Sequence, residues 1–221
     1  MVVRETAVAF SPGHISGFFD PYYARDPKKS GSTGAGISIS LGVTARVRVL
    51  PSVKQEVNVF INDKPSDAST TKLAVMQLIG DEPFKVDVKL SQILPVSQGF
   101  GMSGAGALSA ALATAKLCGL GKMDAIEAAH KAEVIYRTGL GDVVAESFGG
   151  IEIRRSPGLP PWGMVEHIPG DYKIVLCVMV DKLSTSKVLS DAVVLKKSRD
   201  TARVCLDELL DNPSVEKLFK L

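Results

Sequence analysis

Alternation of apolar and polar residues predicts most of the strands in the first hundred residues. This period of two is typical of strands with one solvent-exposed face, and it predicts strands at 37–41, 45–50, 56–61 and 84–90. The segment 2–10 is also rich in β-forming residues and ends at a turn signal, Ser11-Pro12-Gly13. The glycine and proline residues that follow, up to residue 36, predict irregular backbone.

Helices and buried apolar segments dominate the rest of the chain. Helices are predicted at 67–79, at 105–118, at 122–136 and from about residue 186 onward. A strand is predicted to begin within 149–155, and the proline-rich segment 157–162 predicts a connection near a domain boundary. The apolar run at 174–180 predicts a buried strand over 172–180. Together these elements predict an α+β fold.

Charge and cysteine content exclude several classes of function. The 221 residues include 26 basic and 24 acidic side chains, a net charge of +2, which provides no electrostatic attraction to nucleic acid or an anionic membrane. Three widely spaced cysteines form no Cys-x-x-Cys zinc motif. No signal peptide or membrane-spanning stretch is predicted. We therefore expect a soluble cytoplasmic protein with neither nucleic-acid nor membrane partners.

The glycine-rich segment 99–106 is the main candidate for a binding site. It adjoins the alanine-rich helix predicted at 105–118, so glycine N–H groups and the positive helix end can converge on a polyphosphate. Ser103 adds a hydroxyl that can contact a phosphate oxygen or a magnesium ion. An alternative interpretation of the same eight residues is structural, because glycine and alanine also allow helices to pack closely.

Glu133, Asp142 and His14 are the candidate catalytic residues. Magnesium bound to ATP takes one or two protein carboxylates, and phosphoryl transfer to a hydroxyl benefits from a carboxylate that orients the hydroxyl or accepts its proton. Glu133, on a predicted helix, and Asp142, in a predicted loop, can divide these tasks. Each residue also has a structural alternative: a solvated glutamate, a turn-forming aspartate and a buried, hydrogen-bonded histidine.

Three segments, in chain order, resemble the GHMP kinases, the family named after galactokinase, homoserine kinase, mevalonate kinase and phosphomevalonate kinase. Pro12-Gly13 follows the first predicted strand. The sequence PVSQGFGMSGA at 95–105 is similar to the family's phosphate loop, PxxxGLGSSAA. Glu133 precedes Asp142, and Gly149-Gly150 begins seven residues after Asp142, as in the family. The joint match covers about residues 1–155 and is more specific than any one motif.

The resemblance implies ATP and Mg²⁺ as cofactors and assigns roles by position. The triphosphate would be held by the loop residues Pro95, Gly99, Phe100, Gly101, Met102, Ser103, Gly104 and Ala105. Ser103 and Glu133 would lie near magnesium, and Asp142 would orient or deprotonate the acceptor hydroxyl. His14 falls where mevalonate-type members have a lysine that assists the acceptor, and Asp20 falls at an acidic position that can approach it.

Within the family, the segments 11–19, 31–36 and 138–143 are most similar to the archaeal pantoate kinases. This similarity implies ATP-dependent phosphorylation of the primary hydroxyl of pantoate, a small hydroxy acid, to 4-phosphopantoate in coenzyme A biosynthesis. Ser32 and Thr33 would contact the substrate together with His14 and Asp20. Two alternatives remain open: another GHMP-type kinase, such as a homoserine or mevalonate kinase, and an inactive nucleotide-binding regulatory homologue.

The resemblance also implies two lobes. Residues 1–165 would form an N-terminal ATP-binding domain of sheet and helices, and residues 166–221 would form a partial, ferredoxin-like C-terminal domain. A homodimer is compatible with this two-domain arrangement. Met102 and Gly104 depart from the serine and alanine of the family's phosphate loop. The family's third glycine-rich motif is not found before Leu221, so we expect either a fragment or a shortened member.

Overall fold

Seven strands form one sheet within residues 5–178 and 192–221, the parts of the chain that the computed structural model describes. The strands are β1 (Thr6–Tyr22), β2 (Gly31–Pro51), β3 (Glu56–Ile61), β4 (Lys64–Ser66), β5 (Phe84–Gln92), β6 (Ile151–Ser156) and β7 (Met164–Ile168). Neighbouring strands follow the order β4-β3-β5-β2-β6-β7, and β1 pairs with β2. Val47 of β2 and its partner Val88 of β5 are fully buried, as the predicted alternation requires.

A long hairpin of β1 and β2 replaces the irregular backbone predicted for residues 11–36. The two strands pair from Thr6↔Arg48 to Tyr22↔Gly31, with register shifts at Pro12/Gly13 and Ser16/Phe18. Such bulges accommodate proline and an extra residue without ending the pairing. A Cβ at Gly42 would collide with the Ser11 carbonyl, so this glycine permits close approach of two strands. The prediction of irregular backbone is therefore wrong for residues 11–22 and 31–36, and correct for residues 23–30, which form no strand.

Helices pack against the sheet and form a second layer beside it. They are α1 (Ser69–Ile79), α2 (Met102–Cys118), α3 (Lys122–Tyr136), α4 (Asp142–Phe148), α5 (Ala192–Asp211) and α6 (Val215–Leu218). α2 begins three residues earlier than predicted, so Ser103 and Gly104 lie in its first turn. Asp142, predicted in a loop, is the first residue of α4. Buried alanines of α2, such as Ala107 and Ala111, join alanines of α1 and α3 in one core cluster.

The segment after β6 departs most from the predictions. β7 is a strand that the sequence pattern does not predict. Within the predicted strand 172–180, residues 172–178 form no strand and Val175 is 94% exposed. Among the described strands none pairs with this segment, although Leu176 packs against the main core cluster. Residues 179–180, and the predicted helix start at 186–191, lie outside the described residues.

Helices α5 and α6 pack against the sheet rather than apart from it. Leu209 of α5 and Leu218 of α6 share a buried cluster with Phe18 of β1 and Ile151 of β6. This core connects residues on both sides of position 165. The domain boundary at that position stays a prediction.

Candidate active site

His14 lies at the centre of the candidate site, on β1 and only 1% exposed. Its Nδ1 is 3.0 Å from Asp142 Oδ1, and its Nε2 is 3.0 Å from Glu152 Oε1. Its backbone N–H donates to the Phe100 carbonyl at 3.0 Å, which ties β1 to the glycine-rich loop. The structure therefore places the two predicted catalytic residues, His14 and Asp142, in hydrogen-bond contact.

A glycine in β2 allows His14 to reach Glu152. Gly36 pairs with Glu152 across β2 and β6, and a Cβ at Gly36 would collide with His14 Nε2. The missing side chain leaves space for the imidazole between the strands. Arg154, two residues further along β6 and 2% exposed, forms an ion pair with Glu152. Glu152 thus contacts two cationic side chains in a buried environment.

The charges in this cluster keep His14 protonated. Burial opposes the imidazolium, but the negative charge of Glu152 and the hydrogen bonds to Asp142 and Glu152 outweigh burial and raise the pKa of His14 to about 9. Burial also opposes ionisation of Glu152, yet His14 and Arg154 hold the pKa of that carboxyl below its usual value. At neutral pH, His14 therefore donates from both ring nitrogens.

The raised pKa of His14 predicts a loss of stability at alkaline pH. The unfolded pKa is near 6.5, so the imidazolium stabilises the fold fully below that pH and loses its contribution as the pH rises through about 9. The shift corresponds to about 3 kcal/mol. Urea unfolding at pH 6 and pH 10 should show this loss in the wild type but not in His14→Gln. Equal pH dependence of the two proteins would contradict the assignment.

Three carboxylates converge beside the first turn of α2. A Cβ at Gly104 would lie 3.1 Å from Asp142 Cβ, 3.1 Å from Glu146 Oε2 and 3.4 Å from Glu133 Oε1. Glu133 and Glu146 are buried, and burial, followed by the negative charge of Asp142, raises the pKa of each carboxyl well above its usual value. The Asp142 side chain is 25% exposed, so a substrate can reach this carboxylate.

The glycine-rich loop leaves space in front of α2. Gly99 and Gly101 have φ values of +80° and +65°, and a Cβ at Gly99 would meet no atom within 4 Å. No side chain of the described residues caps the α2 N-terminus, so its first N–H groups, including that of Ser103, can bind an anion. The side chains of Phe100 and Met102 belong to the main core, so they anchor the loop and leave its backbone free to contact a ligand.

Pro95 and Ala105, the first and last residues predicted to hold the triphosphate, do not lie at the open space in front of α2. Pro95 is exposed seven residues before α2 begins, and the Ala105 side chain is fully buried inside that helix. The backbone N–H of Ala105 already donates to the Gly101 carbonyl at 2.9 Å within the helix. The loop glycines and Ser103 are therefore better placed than Pro95 or Ala105 to bind a phosphate.

The residues predicted to contact the substrate lie in two places, one beside the loop before Asp142 and one in the hairpin of β1 and β2. A Cβ at Gly141 would lie 2.5 Å from Ser32 Oγ and 3.1 Å from Arg154 Nε, so both side chains border the loop before Asp142. Asp20 pairs with Thr33 across the hairpin. The Asp20 carboxylate also accepts from two arginines of α5, with distances of 2.9 Å to Arg199 Nε and 3.3 Å to Arg203 Nε. Substrate contacts by Asp20 and Thr33 stay predictions.

The sequence interpretation misses Glu146, Glu152 and Arg154. Glu146 follows Asp142 by four residues, a spacing that places both on one helix face, but the sequence pattern predicts no helix there. Glu152 and Arg154 alternate with isoleucines in β6, where all four side chains are buried. Charged residues within a short apolar strand are the signal that could have indicated a buried ionic site.

Comparison with known proteins identifies the family to which this chain belongs. A family model described as the GHMP kinases N terminal domain matches residues 69–150, which include the loop, Glu133 and Asp142. Over 220 residues the chain is 36% identical to a pantoate kinase from Thermococcus kodakarensis, covering 96% of this chain and 72% of that protein. The chain belongs to the GHMP kinase family.

Two further comparisons agree with this GHMP kinase assignment. A pantoate kinase from Methanocaldococcus jannaschii is 32% identical, with coverage of 96% of this chain and 76% of that protein. A solved structure described as a phosphotransferase related to the CoA biosynthesis pathway has a TM-score of 0.84 and 33% identity, covering 96% and 72% of the two chains. The predicted α+β fold and enzyme class, an ATP-dependent kinase, are confirmed. Within the described ranges, no helix is long and apolar enough to span a bilayer.

The site of this GHMP kinase fits a nucleotide carried with magnesium. The open space at Gly99 and the uncapped start of α2 suit phosphate oxygens. Glu133 Oε2 is buried without a hydrogen-bond partner in the described part of the chain, so it can serve as a cation ligand. No three His, Cys, Asp or Glu side chains among the described residues are arranged to hold a metal ion. A magnesium ion held there would take its remaining ligands from water or phosphate oxygens.

Proposed function

We propose that this kinase transfers the terminal phosphoryl group of ATP to the primary hydroxyl of pantoate, giving 4-phosphopantoate for coenzyme A biosynthesis. The position of Asp142 is the observation that carries the proposal. This carboxylate is partly exposed, bonded to His14 and adjacent to the first turn of α2. Similarity to two pantoate kinases over 96% of the chain supports pantoate as the acceptor.

Asp142 would orient the acceptor hydroxyl and accept its proton. The imidazolium of His14 donates to Asp142 Oδ1, which fixes the carboxylate and leaves Oδ2 for the hydroxyl. Glu152 holds the other ring nitrogen, so the imidazole cannot rotate without breaking a buried hydrogen bond. A carboxylate held in this way reduces the entropy lost when the hydroxyl is aligned with the phosphoryl group.

The glycine-rich loop would hold the nucleotide through its backbone. N–H groups of the loop and of the first turn of α2 would bind phosphate oxygens, while the Ser103 hydroxyl and Glu133 would contact Mg²⁺. ATP with bound magnesium supplies the activated phosphoryl group. Since Phe100 and Met102 are anchored in the core, the loop is held in place before a nucleotide binds.

A carboxylate-bearing acceptor needs cationic or N–H donors near Asp142. Arg154 Nε is buried and has no hydrogen-bond partner among the described residues. Together with Ser32 Oγ, it borders the loop that precedes Asp142. We infer that these two groups bind the carboxylate of pantoate. Homoserine has an ammonium group next to its carboxylate, which Arg154 would repel.

A panel of acceptors tests this function. ADP release should favour pantoate over homoserine and mevalonate by at least ~100-fold in kcat/KM, because each misplaced methyl or polar group costs about 1–3 kcal/mol in a fitted pocket. Equal rates with homoserine or mevalonate would defeat the pantoate assignment and leave the kinase assignment intact. Nucleotide binding without ADP release for any acceptor would favour the regulatory homologue.

A further inference from the structure

Glu146 is the one buried carboxylate of this cluster to which the proposed reaction gives no task. It is 3% exposed, and neither of its carboxylate oxygens has a hydrogen-bond partner in the described part of the chain. A buried carboxyl group without partners is costly, because it loses its hydration and gains nothing in return. Two unpartnered oxygens on one side chain therefore point to something that binds them.

Glu146 Oε2 lies beside a point that is free of side-chain atoms because residue 104 is glycine, whereas Oε1 lies beside Gly101. The Cβ position at Gly104 lies 3.1 Å from Glu146 Oε2 and 3.4 Å from Glu133 Oε1. Glu133 Oε1 accepts from the Val143 N–H at 3.4 Å, while its other oxygen, Oε2, is buried without a hydrogen-bond partner among the described residues. The alanine of the usual family pattern would place a methyl group in this space. Gly104 therefore leaves open the point that the two carboxylates share.

The charges around this space are unbalanced whenever all of its carboxyl groups are ionised, and for this reason burial and the negative charge of Asp142 raise the pKa of Glu133 and of Glu146. Four carboxylates (Glu133, Asp142, Glu146 and Glu152) surround two cationic side chains, His14 and Arg154. Glu152 is compensated by its contacts with both cations, and Asp142 is bonded to His14. Among the described residues, no lysine or arginine lies within salt-bridge distance of Glu133 or Glu146, and His130, 4.0 Å from Glu133, is buried with a lowered pKa. A divalent cation prefers carboxylate oxygens and would compensate this pair.

We propose that Glu146 and Glu133 bind a divalent cation beside Gly104 in the absence of nucleotide, with water as the remaining ligands. Only two protein carboxylates take part, so binding is weak and exchangeable. Use of this cation in phosphoryl transfer rests on the proposed function, whereas its binding does not. Glu146 is then a second protein ligand that allows the chain to take up a cation before ATP arrives.

Titration of the nucleotide-free protein with Mn²⁺ tests the proposal. Free Mn²⁺ is followed by electron paramagnetic resonance, and we expect one bound ion per chain. Glu146→Gln should weaken this binding by at least ~10-fold, because loss of a ligand costs no less than loss of an outer-shell partner. Glu166→Gln is the matched control, since Glu166 is exposed and pairs with Arg155. It should bind Mn²⁺ like the wild type.

Gly104→Ala is a second variant that keeps both carboxylates. Its methyl group fills the shared space, so Mn²⁺ binding should be lost here as well, while circular dichroism shows a folded protein. If Glu146→Gln does not fold, Gly104→Ala decides the question. Wild-type Mn²⁺ binding that neither variant weakens, or no bound ion in the wild type, overturns the proposal. Mn²⁺ binding without pantoate phosphorylation supports the cation site and defeats the proposed function instead.

Discussion

Asp142→Asn should lower turnover by about 10²–10⁴-fold, the range expected when a general base is lost. Asparagine keeps the size of the side chain, and its carbonyl oxygen can still accept from His14. Its amide cannot take the proton of the acceptor hydroxyl, so the chemical step slows while nucleotide affinity changes little. Single-turnover ADP release gives the rate, and equilibrium titration with ATP gives the affinity.

Asp171→Asn is the control for this variant, because Asp171 is an exposed aspartate after β7 and outside the carboxylate cluster. It should match the wild type in both measurements. Near-normal turnover of Asp142→Asn would remove Asp142 from the mechanism. A loss of ATP affinity equal to the loss of turnover would assign Asp142 to nucleotide binding instead of acceptor activation.

Gly99→Val should weaken ATP binding by at least ~100-fold. A Cβ at this position meets no protein atom, so a side chain there obstructs only the space in front of α2. Loss of two charge-assisted hydrogen bonds between backbone N–H groups and phosphate costs about 3–6 kcal/mol, which accounts for the change in affinity. Gly101→Val is less informative, because its Cβ would lie 2.5 Å from Glu146 Oε1 and disturb the site directly.

Backbone strain needs its own control, because valine is disfavoured at positive φ. Gly80, at the end of α1, has a φ of +61° and equally open surroundings, so Gly80→Val carries similar strain away from the loop. Both variants should lose similar thermal stability, and only Gly99→Val should lose ATP affinity. If both bind ATP like the wild type, the glycines of the loop serve packing rather than phosphate binding.

The periodicity of apolar residues along the sequence predicts the strands and helices that bury only one face. β3 and β5 show the period of two, and α3 has the predicted bounds of 122–136. The hairpin of β1 and β2 is missed because its glycines resemble turn residues. In the folded chain one of them, Gly36, makes space for His14 Nε2. That requirement depends on a tertiary contact and leaves no local signal.

Prediction of the candidate site is limited in the same way, because its contacts join residues that are distant in the sequence. His14 and Asp142 are selected from the sequence by motif and order, yet their contact joins residues 128 positions apart. Glu152 is missed because a charged residue in a short strand usually faces solvent, and only the folded sheet shows its full burial. Resemblance to a family indicates which residues to consider, whereas the hydrogen bonds between them require the packed structure.

The length of β2 determines how the sheet can unfold. Its residues 43–51 pair with β5, and its residues 34–37 pair with β6, while β1 pairs along nearly the whole strand. One strand therefore carries hydrogen bonds to both parts of the sheet, so unfolding of β2 removes the pairing partner of β5 and of β6 together. Amide hydrogen exchange in β5 and β6 should consequently report a single cooperative unfolding event, with no partly open state in which one half survives alone.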